Sequence, residues 1–223
     1  MPLEATHIRF ALDLQDKYNV KNISEYISGA IYPDSRYVTG IDKRLTHDDK
    51  FLLPEFATDD FKKGWQVHQI CDLVYSSVQK NLFPELFPRS YDLYNEQDWV
   101  VSTALKIILD IDDAQAFDIQ KYLEFLDYAA NPNGENISSI EDYNSVMVNL
   151  YKNKKIITIE ENIKWLTLGP SVELKDRVRI KAAEFLMDKT ILIRVKSIYE
   201  EMVKSYSEIV DKRILDKFGR DET

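Results

Sequence analysis

The chain has 223 residues, 44% hydrophobic and 30% charged, enough to close one sizeable core in a soluble globular protein. A net charge of −9 argues against general affinity for long nucleic acids or an anionic membrane surface. A single cysteine, Cys71, excludes an intramolecular disulfide framework, and six glycines with seven prolines suit helices better than a turn-rich sheet sandwich.

In chain order, apolar residues recur at helical spacing. THIRFALDLQDKY carries a stripe of Ile8, Ala11, Leu12, Leu14 and Tyr18, with Thr6 as the expected cap. NISEYISGAIY predicts a second helix that Pro33 ends. Residues 34 to about 57 read as an extended charged loop punctuated by Gly40 and Pro54. A third helix is predicted from about Thr58 to Leu82, a fourth over NEQDWVVSTALKIILDI, and a fifth over AFDIQKYLEFLDYAA, closed by NPNGEN. Ser138 or Ser139, ahead of Glu141 and Asp142, predicts a capped sixth helix. Beyond Pro170, apolar residues from Val172 to Phe218 recur every three or four positions, as one long helix or as a hairpin broken near DKTILIR.

The expected fold is therefore all-α, a single bundle of about seven helices over residues 1–223. Residues 1–84 would hold the chemistry and 85–223 would form a helical layer completing the core. The tail GRDET is expected to be disordered. No apolar stretch reaches transmembrane length, so no integral membrane association is expected. MPLEATHIRF shows no secretory pattern, and the expected location is cytoplasmic.

All three histidines fall in the first third of the chain. His68 and Asp72, four apart on the third predicted helix, share one face, where an imidazole nitrogen and a carboxylate oxygen can meet one ion. Gly64 lies one turn back on that face, where another backbone can approach closely. Asp34 follows Pro33 at a helix end, and His47 closes the loop. Together the four make a mixed nitrogen–oxygen set suited to zinc, with manganese, iron or nickel as alternatives. His7 opens the first helix and would bind a second ion or orient Asp72.

These motifs resemble the zinc-dependent phospholipase C and single-strand zinc nuclease family, in its prokaryotic phospholipase C type. The matching elements are EATHIRFA, GAIYPD, RLTH and GWQVHQICD, in that order, over residues 5 to 75. The resemblance implies that Asp34, His47, His68 and Asp72 hold one zinc, and that His7 helps hold another with Asp72 as a bridging carboxylate. The later ligands of the trinuclear members are missing: no histidine follows His68, and Val78 stands six residues beyond Asp72. Some members also use the mature N-terminal amine, here Pro2 after loss of Met1.

The implied activity is hydrolysis of a small phosphoester, or of a phospholipid head group, by a metal-activated water, with Asp34 or Asp72 as candidate proton acceptor. Arg36, Lys43 and Arg44 are either phosphate-neutralising or solvated loop charges. Two rival readings stand beside it. One is a non-catalytic helical protein with a closed structural metal and a C-terminal helix that forms a homodimer or partner interface. The other is an HD-type metal phosphohydrolase built on His47–Asp48. Glu96, Asp98, Asp110, Asp112 and Asp113 would supply missing ligands if the fourth helix packs over the site. Otherwise Asp98 compensates a helix dipole and the later acids mark a helix end. Cys71, Trp65 and Trp99 read as core before anything else, as does the stripe Phe185, Tyr199 and Tyr206.

Overall fold

A computed structural model of the chain describes residues 3–88, 92, 95–166 and 171–219, and among these no strand occurs. Ten α-helices follow in order: α1 (Glu4–Leu14), α2 (Ile23–Ile31), α3 (Arg36–Thr39), α4 (Lys43–Thr46), α5 (Asp60–Leu82), α6 (Glu96–Ala116), α7 (Ile137–Tyr151), α8 (Ile159–Trp165), α9 (Val172–Met187) and α10 (Lys189–Phe218). The all-α class holds; the expected count of seven does not. Pro2, Pro170 and residues 220–223 of the tail lie outside the described residues.

The extra helices have local causes. Residues 34–57 are compacted into single turns, because Asp42 caps α4 through the Arg44 amide and Asp48 caps the 3-10 turn Asp49–Leu52 through the Lys50 amide. The C-terminal region is a hairpin: Asp188 leaves the helical conformation and caps α10 through the amides of Thr190 and Ile191. The fifth predicted helix is instead a 3-10 run, Ile119–Asp127, set off from α6 by Asp118 in the left-handed region at φ 52°. Asn136, not Ser138 or Ser139, caps α7.

Close approach of α2 and α5 sets the site. A Cβ on Gly64 would lie 2.0 Å from the Tyr26 carbonyl oxygen, and one on Gly29 equally near that of Phe61. The two backbones touch because neither glycine has a side chain to hold them apart. This contact brings the end of α2, with Asp34 just beyond it, against His68 of α5. Tyr32, Phe51, Phe61, Trp65 and Ile140 form a small aromatic cluster beneath the compact loop, and the Trp65 indole donates to the Thr46 carbonyl at 2.9 Å.

On the far side, α10 lies along α5 and buries Val195, Ile198, Tyr199 and Met202. Helix α6 packs on α1 and α9, and its run Ala104, Leu105, Ile107, Ile108 and Leu109 is at most 2% exposed. No helix among the described residues is long and apolar enough to cross a membrane.

Candidate metal centre

Asp34, His47, His68 and Asp72 lie close together, and the helical spacing of His68 and Asp72 places that pair on one face. The His68 and His47 Nε2 atoms are 3.3 Å apart. The Asp72 Oδ2 atom lies 3.5 Å from His47 Nε2 and 3.6 Å from His68 Nε2, and Asp34 Oδ1 lies 3.6 Å from His47 Nε2. Four donors at zinc distances of about 2.0–2.2 Å in a tetrahedron sit about 3.3–3.6 Å from one another. Four of the six separations among these donors fall in that range, and Asp34, His47 and His68 form one group close enough to share an ion.

The His68 tautomer agrees with a shared ion. His68 Nδ1 is 2.8 Å from the Ala30 carbonyl, which only accepts, so Nδ1 carries the proton and Nε2 presents a lone pair. His47 Nδ1 is 2.8 Å from the Thr46 hydroxyl, whose own proton can point to the Lys43 carbonyl at 3.3 Å. With the hydroxyl proton there, His47 Nδ1 donates and Nε2 also presents a lone pair; with that proton directed to Nδ1, Nε2 donates to His68 Nε2 instead. A cation among these nitrogens and the two carboxylates would satisfy both imidazoles in their ligating tautomers. Burial, with His68 close by, pushes the His7 and His47 imidazoles well below their usual range and keeps them in the neutral, ligating form.

His7 stacks on His68 with ring centroids 3.9 Å apart, and its Nε2 is 3.5 Å from Asp72 Oδ1, the oxygen turned away from the other histidines. Neither His7 ring nitrogen has a hydrogen-bond partner, and the same is true of Asp34 Oδ1 and Asp72 Oδ1. Such buried orphans are costly in a protein interior, and a bound cation would satisfy them. His7, His68 and Asp72 form a second group of close donors.

Two acids expected to serve as extra ligands have another task. Helix α6 does pack over α1, but Asp110 accepts from the Ala5 amide at 2.8 Å and from the Tyr151 hydroxyl at 2.9 Å. Asp113 accepts from the Thr6 hydroxyl and the Arg9 guanidinium, both at 2.6 Å. They hold the start of α1, which has no side-chain cap of its own, so Thr6 is anchored to α6 and does not cap the helix. Burial pushes the Asp110 carboxyl up from 3.8 to about 7. Between those values the folded chain binds more protons than the unfolded one, so this group's contribution to stability falls as pH rises from about 4 to about 7. In urea unfolding at the two ends of that window, Asp110→Asn is expected to flatten the decline. An unchanged slope would show that the carboxyl stays ionised throughout.

The centre lies in the wall of a cleft of about 910 Å³. One helical stripe of α6 (Trp99, Thr103, Lys106) and one of α5 (Asp72, Leu73, Ser76, Lys80) flank it, and Glu4 lies at its α1 end. Five cations (Arg36, Lys43, Lys80, Lys106, Arg213) and five carboxylates (Glu4, Asp34, Asp48, Asp49, Asp72) line it. Arg213 is paired with Asp49 at 2.9 Å. Arg44 faces solvent, paired with Asp42, so only Arg36 and Lys43 of the three loop cations reach the cleft. Asp48 is a cap outside both donor groups, which removes the geometric basis for an HD dyad. Cys71 is fully buried, as expected of a core thiol.

Two cleft residues escaped the sequence. Glu4 is 2% exposed, and the Tyr143 hydroxyl lies 3.1 Å from its Oε1. Burial raises its carboxyl well above the usual range, with Asp34 and Asp110 adding to the effect. Its signal was the Glu-x-x-His spacing to His7, one turn apart on α1. Lys106 interrupts the apolar run ALKIIL and stands seven residues after Trp99, on the same face. Burial pushes its ammonium down, while Asp72 and Asp34 push it up.

No family model matches the chain, and no curated protein and no solved structure matches it either.

Proposed function

We propose that the chain is a metal-dependent hydrolase of small phosphoesters, with Asp34, His47, His68 and Asp72 holding one zinc. The observation that carries this reading is the approach of two imidazole Nε2 atoms to 3.3 Å, with two carboxylates beside them in the wall of an open, cation-flanked cleft. The ordered resemblance of the histidine and aspartate motifs to the zinc-dependent phospholipase C and nuclease family points the same way. When bound, the ion would supply Lewis acidity to a phosphoryl oxygen and a water whose pKa falls toward about 7.

The remaining tasks belong to the chain. The Ala30 carbonyl holds the His68 imidazole in the ligating tautomer, and the Thr46 hydroxyl faces His47 Nδ1. Arg36, whose Nε is 3.9 Å from Asp34 Oδ1 and whose guanidinium lies over the Tyr37 ring, faces incoming anionic oxygens. Glu4, held protonated by burial, carries a proton at the cleft for a leaving oxygen. With Glu4 protonated, five cations face four carboxylates, so a divalent ion makes the cleft positive by three in a chain of net charge −9. That local inversion favours a small anion over a long polyanion.

The test is metal content after purification without added metal, followed by hydrolysis of p-nitrophenyl phosphate and bis(p-nitrophenyl) phosphate. About one zinc per chain, with hydrolysis abolished by a chelator and restored by zinc, is the expected outcome. Zinc retained without hydrolysis of either ester would favour the closed structural metal instead. A chain that takes up no zinc, manganese or nickel would sink both readings.

A further inference from the structure

We infer that Lys106 is a second cationic centre of the cleft, replacing the later metal ligands that the chain lacks, and that it selects a dianionic phosphate monoester over a diester. This rests on the metal reading above. Lys106 projects from an otherwise apolar stretch of α6 and lines the same cleft as Asp34, His47 and Asp72. An ammonium held among buried apolar residues is costly unless an opposite charge accompanies it. In the metal-free chain the charges of Asp72 and Asp34 offset part of that cost, and burial still holds the ammonium below its usual range.

A divalent ion at the centre claims the same two carboxylates. One ion of charge +2, two carboxylates of charge −1 each and neutral imidazoles sum to zero. Lys106 and Arg36, the two cations that those carboxylates had faced, then lose them at the edge of a neutral centre. A phosphate monoester, with two negative charges, neutralises them; a diester, with one, leaves a cation unpaired. Metal loading therefore turns Lys106 from a partner of the ligands into a receptor for substrate, and binding is ordered, metal first and anion second.

The experiment is calorimetric titration of inorganic phosphate and of dimethyl phosphate into the zinc-loaded chain, for wild type, Lys106→Met and Lys106→Arg. Wild type is expected to prefer phosphate, and Lys106→Met to bind it about tenfold to a hundredfold more weakly while keeping one zinc. The preference over dimethyl phosphate should shrink in the same variant. Lys106→Arg, which restores the charge, should recover most of the affinity. Unchanged phosphate affinity in Lys106→Met, or equal losses in both variants, would overturn the role of Lys106 and leave the metal site standing. Failure of the wild-type chain to bind zinc would overturn the metal reading and this inference with it.

Discussion

Zinc is expected to raise the melting temperature of the wild-type chain and to leave Asp72→Asn and His68→Ala unmoved. At a free zinc concentration one hundred times the dissociation constant, the stabilisation is about 2.7 kcal/mol. For a chain of this size that corresponds to about 5–10 °C. Asp72 is the critical position because its two oxygens face different partners: Oδ2 faces His47 and His68, and Oδ1 faces His7. Asparagine keeps the shape, removes the charge, and replaces one ligating oxygen with an amide nitrogen that has no lone pair to give.

The two variants should differ without metal. In Asp72→Asn the metal-free fold should stay within about 1 kcal/mol of wild type, because relief of the Asp34 carboxylate is offset by loss of a charge facing Lys106. In His68→Ala the metal-free fold should weaken by about 1–3 kcal/mol, since the buried Ala30 carbonyl loses its donor and His7 its stacking partner. Differential scanning fluorimetry with and without zinc reads both effects. A full zinc shift in Asp72→Asn would place the ion elsewhere.

Gly64→Ala is expected to destabilise the fold and to impair the metal site, although Gly64 ligates nothing. In an open helix the change would stabilise by about 1 kcal/mol through helix propensity. Here the added Cβ would lie 2.0 Å from the Tyr26 carbonyl oxygen and 2.8 Å from the Ala30 nitrogen, both backbone atoms that no rotamer change can clear. Helix α2 must retreat from α5, at the upper end of the overpacking cost of about 1–3 kcal/mol or beyond it. That retreat draws the Ala30 carbonyl away from His68 Nδ1 and shifts Asp34, so zinc affinity should fall together with stability. Chemical unfolding and zinc titration of Gly64→Ala and of Gly29→Ala, its counterpart across the contact, test this. A stabilised Gly64→Ala chain would mean that the helices do not touch.

Much of the candidate site was legible before any coordinates. His68 and Asp72 are four apart on one helix, a spacing that already states their proximity. Asp34 and His47 were legible as parts of ordered motifs rather than by geometry, for their convergence depends on the folding of the segment between them. Gly64 announced a close approach but not its partner, because a missing side chain says only that room is needed. Residues 34–57 misled as an extended loop: their short turns depend on side-chain caps at Asp42 and Asp48, which leave little periodic signal.

Local spacing and periodicity by themselves determined the all-α class, the His68–Asp72 pair and the hairpin option for the C-terminal region, since each depends on residues within a few turns of one another. Only the tertiary structure decided that Asp110 and Asp113 hold the start of α1 instead of a metal, that the Ala30 carbonyl sets the His68 tautomer, and that Glu4 and Lys106 share a cleft with the donors. Those relations join helices separated by up to about a hundred residues, as from Ala5 to Asp110. They arise from the packing of whole helices, with α2 against α5 through Gly29 and Gly64 and α1 against α6 through buried carboxylates, and no short stretch of sequence contains both partners.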